Sequence, residues 1–153
     1  MSEESKAKAL STAAAVLNYN NRSSSMLRTK LLEKGIDAED AEHAIERLRD
    51  FGYLDDMEYA LSVLRGGMSK GWGKERIRRK MQEYKLDEGT IEAALDRYEL
   101  DTDRLDSFIA ANAGDLGDPA ERKRISDKLF RRGYSWEEIG AALRRCREDI
   151  YED

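Results

Sequence analysis

A single cysteine, a single histidine and a single proline occur in a chain of 153 residues. One thiol, Cys146, cannot close an internal disulfide, so a reducing, cytoplasmic compartment is expected. One cysteine and one histidine leave too few ligands for a structural zinc site. With so little proline and only 11 glycines, the composition suits helices better than a sandwich or barrel. No stretch approaches the roughly 20 apolar residues of a membrane span. The segment Met1–Ala9 is polar and lacks the apolar core of a signal peptide. Neither a glycine-rich phosphate loop nor a Gly-x-Ser-x-Gly turn is present. The chain therefore does not read as an enzyme, and no catalytic residue, metal or cofactor is expected.

What is abundant is charge, at 39% of residues, with a net value of −5. It is unevenly spread. Between Arg65 and Lys85 stand Arg65, Lys70, Lys74, Arg76, Arg78, Arg79, Lys80 and Lys85, against Glu75 and Glu83. Eight bases against two acids leave a local +6. Arg122, Lys123, Arg124, Lys128, Arg131 and Arg132 against Asp127 leave +5. The acidic excess lies in Glu3 and Glu4, Asp37 to Glu46, Asp87 to Asp106, and Glu148 to Asp153. Two basic elements on an acidic protein form a local electrostatic footprint, or are simply solvated helix faces.

One pattern recurs three times. Its anchors are Gly35, Lys85 and Gly133, each followed by an apolar residue (Ile36, Leu86, Tyr134) and then a helix-starting one (Asp37, Asp87, Ser135). Eight and four before the anchor come Leu27 and Leu31, Ile77 and Met81, Ile125 and Leu129. Six and ten after it come Ala41 and Ile45, Ile91 and Leu95, Ile139 and Leu143. Self-similarity at this period marks one copied helical unit. Stacked units bind along an extended surface more often than they enclose a catalytic cavity. Gly35 and Gly133 suit the left-handed residue that ends a helix. Lys85 departs, so the second unit must end that helix another way or bear strain. Ser135 with Glu138 reads as a capping box.

The spacing predicts nine helices, no sheet, and three units with boundaries at 1–54, 55–100 and 101–153. The first helix is expected over Ser5–Asn20, with Leu10, Ala14 and Leu17 inward. Met57, Leu61, Leu64 and Met68 form a stripe on the fourth, which Gly66 and Gly67 should each weaken by about 1 kcal/mol. Gly71-Trp72-Gly73 is a turn, with helices over Lys74–Tyr84 and Glu88–Tyr98 after it. The third unit starts near Asp101, and Asp118-Pro119 opens a helix with a cap and a first-turn proline. The last helix is expected over Trp136–Asp149.

Leu54-Asp55-Asp56-Met57-Glu58-Tyr59-Ala60, then Arg65, then Gly71-Trp72-Gly73-Lys74-Glu75-Arg76-Ile77 resembles the RecX family. So do Lys30-Leu31-Leu32-Glu33-Lys34-Gly35-Ile36, Asp118-Pro119-Ala120-Glu121-Arg122-Lys123 and Leu129-Phe130-Arg131-Arg132-Gly133-Tyr134-Ser135. The resemblance spans roughly Leu10 to Arg147. It departs at Lys74, where the family often has proline, and at Lys85, where it often has glycine. It implies an all-α, elongated, curved array of three tandem three-helix repeats. It further implies a regulator of the recombinase RecA that binds the groove of the RecA–DNA filament. Strand exchange, ATP hydrolysis and coprotease activity would be inhibited. The partner-binding candidates are Arg65, Lys70, Trp72, Lys74, Arg76, Arg78, Arg79, Lys80, Arg122, Lys123, Arg124, Arg131 and Arg132. A module binding single- or double-stranded DNA directly is the alternative, since tri-helical units resemble helix-turn-helix domains. A pI near 5.1 argues against a dedicated duplex binder. A monomer with no membrane contact is expected.

Single residues divide between packing and function. His43 reads as a solvated helix residue, with no acid–base partner in pattern. Cys146 continues Ile139, Leu143 and Ile150 at helical spacing and reads as a packed thiol. Trp72 either covers the core of its own repeat or offers an interface anchor. Trp136 is expected to pack between units. Arg65 makes either a structural contact or a partner contact.

Overall fold

A computed structural model describes the backbone of residues 2–151 and the side chains of residues 2–148. Among the described residues the chain is all-α, with nine helices and no strand. They are α1 (Glu3–Tyr19), α2 (Ser24–Glu33), α3 (Ala38–Asp50), α4 (Asp56–Ser69), α5 (Lys74–Glu83), α6 (Glu88–Leu95), α7 (Thr102–Asn112), α8 (Pro119–Arg131) and α9 (Trp136–Tyr151). No helix among the described residues is long and apolar enough to cross a membrane. Ile150, expected on the inward face of α9, lies outside the described side chains.

The recurring anchor is a recurring piece of backbone. Gly35, Lys85 and Gly133 all have positive φ, at 85°, 58° and 103°. The amide after each reaches back to close the helix: Ile36 to Leu31 O at 3.0 Å, Leu86 to Met81 O at 3.3 Å, Tyr134 to Leu129 O at 3.2 Å. This is the six-to-one bond of a Schellman ending, which satisfies carbonyls the helix leaves bare. Lys85 adopts the left-handed conformation despite its Cβ, which costs roughly 1 kcal/mol. Lys85→Gly is therefore expected to raise stability by up to about 1 kcal/mol, part of the gain being lost to the freer unfolded chain. Chemical denaturation of the two proteins measures it.

The caps follow the sequence. Asp37 accepts from the Glu39 amide at 2.9 Å, and Asp87 from Thr90 at 2.9 Å. Ser135 and Glu138 close the reciprocal box, at 3.1 and 2.9 Å. Asp118 caps α8 through the Ala120 amide at 3.0 Å. Each such cap is worth about 1 kcal/mol. Helix α6 stops at Leu95 rather than Tyr98, because the Tyr98 amide turns back to Leu95 O at 2.9 Å.

The chain divides into two compact units, one of residues 1–62 and 81–94, the other of 63–80 and 95–153. In the first, Ala9, Ala13 and Val16 of α1 are buried with Leu27, Leu31, Ala41, Ala44, Ile45 and Leu48. The expected face of α1 is thus displaced by one residue: Leu10, Ala14 and Leu17 are only partly buried beside this core. The reason is α3, against which α1 chiefly packs. Small residues on both helices, Ala9 and Ala13 with Ala41 and Ala44, allow the axes to approach, and the leucines flank the contact. Ser23, fully buried, accepts from the Met26 amide at 3.2 Å and donates to Tyr84 O at 2.5 Å. Asp56 accepts from the Ser24 amide at 2.8 Å.

In the second unit, Leu105, Ile109, Leu116, Ile125, Leu129, Tyr134, Ile139, Ala142 and Leu143 form the core. Cys146 is half-buried against it. Of the stripe expected on α4, which contributes residues to both units, Leu61 and Leu64 are buried and Met57 and Met68 half-buried, and Ala60 and Gly67 are buried as well. A Cβ on Gly67 would stand 2.5 Å from Ile77 Cγ1, so this glycine permits a close approach. A Cβ on Gly66 would meet nothing within 4 Å. Adjacent substitutions should therefore have opposite signs. Gly66→Ala is expected to stabilise α4 by about 1 kcal/mol. Gly67→Ala is expected to destabilise by about 1–3 kcal/mol through overpacking. Paired melting curves distinguish them.

Candidate functional site

The last carbonyls of α4 have no partners within the helix. Gly71, at φ 76°, turns the chain so that the Trp72 amide reaches Gly67 O at 3.0 Å. Side chains from later in the chain meet the rest. Arg104 of α7 donates to Met68 O at 3.1 Å. Arg132 donates to Lys70 O at 3.1 Å and more weakly to Gly71 O at 3.4 Å. The buried Tyr134 hydroxyl donates to Gly71 O at 2.7 Å. Burial pushes the Tyr134 phenol above its ordinary range, so it remains the donor this bond needs. Tyr98 is displaced upward mainly by burial too, and then by Tyr134 and Glu138.

The next turn is fixed as firmly. Helix α5 follows Gly73, which has no side chain to cap it. Its first donors meet the backbone between α8 and α9: Gly73 N donates to Arg132 O at 2.8 Å and Glu75 N to Gly133 O at 3.1 Å. The two glycines make this possible. A Cβ on Gly73 would collide with the Gly133 carbonyl, and one on Gly133 would stand 2.5 Å from Arg76 Cβ.

Trp72 emerges between these glycines, half-buried. The Arg76 guanidinium lies 4.3 Å from its ring centroid and the Lys70 ammonium 4.8 Å. Cations over the electron-rich faces of an indole are attracted by about 0.5–1 kcal/mol each when exposed. The result is a cation-flanked aromatic side chain on a rigid turn. A similar pairing occurs at Phe108, with Arg132 at 4.5 Å and Lys128 at 5.5 Å.

The basic residues singled out from the sequence are not equivalent. Arg132 holds the end of α4, and Arg122 donates to Leu116 O at 2.8 Å. Arg124 bonds Glu121 and also donates to Asn112 O at 2.6 Å. Arg78 pairs with Glu75 at 3.2 Å and Lys123 with Asp127 at 2.8 Å. Arg76 is half-buried beside Trp72, and Lys80 is half-buried. Lys70, Arg79 and Arg131 are exposed, and Lys74 is half-buried at the start of α5. Arg79 and Arg131 make no ion pair among the described residues. Arg65 is exposed on α4. His43 is half-buried on α3. Trp136, expected to pack between repeats, is instead 55% exposed and stacks on Phe130, with centroids 4.4 Å apart. The tight Gly133 turn sets the end of α8 beside the start of α9, and the two rings meet there. The residues that build the turn, Arg104, Gly133 and Tyr134, carried no functional signal in the sequence beyond their place in the repeat.

Glu121 shows the electrostatics most clearly. The Arg124 guanidinium, and then the Gly114 amide at 2.7 Å, hold its carboxyl at about 2, well below the ordinary 4.5. A depressed acid contributes stability that is full above its unfolded value and is lost as pH falls through the folded one. The Glu121–Gly114 link is therefore expected to weaken between about pH 4.5 and 2. Carboxyl-carbon NMR titration checks it, and an ordinary midpoint for Glu121 would contradict the arrangement. Among the described residues no group of three His, Cys, Asp or Glu side chains could hold a metal ion.

Two family models match: the first three-helix domain of RecX over residues 9–48, and its second three-helix domain over residues 55–95. A regulatory protein RecX of Xanthomonas axonopodis pv. citri is 35% identical over 140 residues, covering 90% of this chain and 86% of that protein. One from Stenotrophomonas maltophilia is 31% identical over the same shares. The crystal structure of RecX from Lactobacillus salivarius is similar in fold, with TM-score 0.83 and 22% identity over 94% of this chain and 97% of that one. Matched in sequence along nine-tenths of its length and in fold over a similar span, the chain belongs to the RecX family of regulatory proteins.

Proposed function

We propose that the protein binds the RecA–DNA filament and inhibits its recombinase, ATPase and coprotease activities, acting in the cytoplasm as a monomer without cofactor. The three-helix repeats, bounded at 1–54, 55–100 and 101–153, are its binding units. The target comes from the family; the observation that carries the reading is the turn at Trp72. There a cation-flanked indole and the bases Lys70 and Lys74 stand on backbone locked by Gly73 and Gly133, with Arg79 exposed further along α5. Aromatic and basic side chains on a rigid support are what anchor an interface. Because Arg76 and Arg132 are held within the fold, the contact falls to Trp72 and its exposed neighbours. Such a protein acts by binding one filament state better than others and shifting its population. Contact with DNA itself is secondary on a chain of net charge −5. The test is binding to RecA filaments and to the same DNA bare, at equal salt. Tighter binding to filaments is expected. Equal affinity for bare DNA would replace this reading with direct nucleic-acid binding.

A further inference from the structure

A second concentration of cations lies in the unit of residues 1–62 and 81–94. Between α1 and α2 is a cleft of about 430 Å³, lined by Arg22, Lys30 and Lys34 and by the hydroxyl residues Ser11, Thr12 and Tyr19. Among the described residues no carboxylate lines it. Arg22 stands in the connection between the two helices. Its Nε–H is shielded from solvent and meets no acceptor among the described residues. A sealed donor of this kind costs about 1–3 kcal/mol until something accepts from it. Its guanidinium fork fits the oxygens of a phosphate.

Lys30, in the last turn of α2, and Lys34, the residue that caps its end, both line the cleft. The Lys30 ammonium is 4.0 Å from Glu33, with 39% of its side chain accessible, which is too loose a pair to neutralise it. The α2 dipole favours cations at that helix end and accounts for Lys30 and Lys34. It does not account for Arg22, which precedes α2. Tyr19, 87% exposed, presents a ring at the same cleft.

We propose that this cleft binds the phosphate of a nucleotide unit. Arg22, Lys30 and Lys34 hold the oxyanions, the Ser11 and Thr12 hydroxyls donate beside them, and Tyr19 offers a face on which the base stacks. The site shares no residue with the Trp72 turn, so either proposal can fail without the other.

Two probes, ATP and a short oligothymidylate, are titrated into the full-length protein and followed by amide NMR and by affinity. Shifts are expected at residues 11, 12, 19, 22, 30 and 34. Arg22→Gln and Lys34→Gln should each weaken binding about tenfold, or about 1.4 kcal/mol. Arg97→Gln, exposed in the other unit, should leave it unchanged. Lys34 is exposed, so its variant reports binding even if Arg22→Gln disturbs the fold. Binding of ATP that pyrophosphate displaces identifies a free nucleotide. Binding of the oligonucleotide that ATP does not displace identifies a strand backbone. The proposal is overturned if neither probe shifts these residues, or if Lys34→Gln binds as well as the parent.

Discussion

Gly73→Ala is expected to destabilise the protein by about 3 kcal/mol or more, among the largest effects of any single methyl group in the chain. The added Cβ would collide with the Gly133 carbonyl and the Tyr134 amide. Backbone cannot rotate aside as a side-chain tip can, so two turns must separate. Separation also loses the bonds from Gly73 N to Arg132 O and from Glu75 N to Gly133 O, leaving the start of α5 bare. Gly66→Ala, with open space around its Cβ, serves as the control. A Gly73→Ala melt within about 0.5 kcal/mol of the parent, the range of an ordinary surface change, would mean that the turns do not touch.

The second large effect is on binding. Reversing Lys70, Lys74 and Arg79 to Glu is expected to weaken the filament interaction ten- to a hundredfold while leaving the helical signal intact. Each partly exposed charge contributes about 0.5–1 kcal/mol, and three together about 1.5–3 kcal/mol. The loss should shrink as salt rises, because exposed charges are screened within about 10 Å at 0.1 M. Arg76 and Arg132 are left out of the variant. The first packs on Trp72 and the second holds the carbonyls of α4, so their reversal would confound binding with folding. Unchanged affinity in the triple variant would make this face merely solvated.

The contrast between these variants marks what the sequence could and could not tell. The three anchors were legible because one backbone conformation recurs at Gly35, Lys85 and Gly133, and local chemistry writes it each time. The caps were legible for the same reason. The inward face of α1 was missed by one residue because α3 presents Ala41 and Ala44, which no reading of α1 alone reveals. Gly67 read as a weak point of α4, yet it leaves room for Ile77 in the following helix. The basic residues read as one surface. Only their partners in space separate Arg132, Arg122 and Arg124, which complete the fold, from Arg79 and Arg131, which face water. Arg22, Lys30 and Lys34 are too far apart in sequence, and too ordinary in helical context, to mark a cleft.

The most direct test of the account is ATP turnover by cognate RecA on single-stranded DNA, with the protein and its Lys70, Lys74 and Arg79 triple-Glu variant titrated side by side. The account predicts inhibition by the parent that persists when DNA is saturating, and at least tenfold more of the variant needed for the same effect. Inhibition that vanishes with excess DNA, or a variant as potent as the parent, would contradict it.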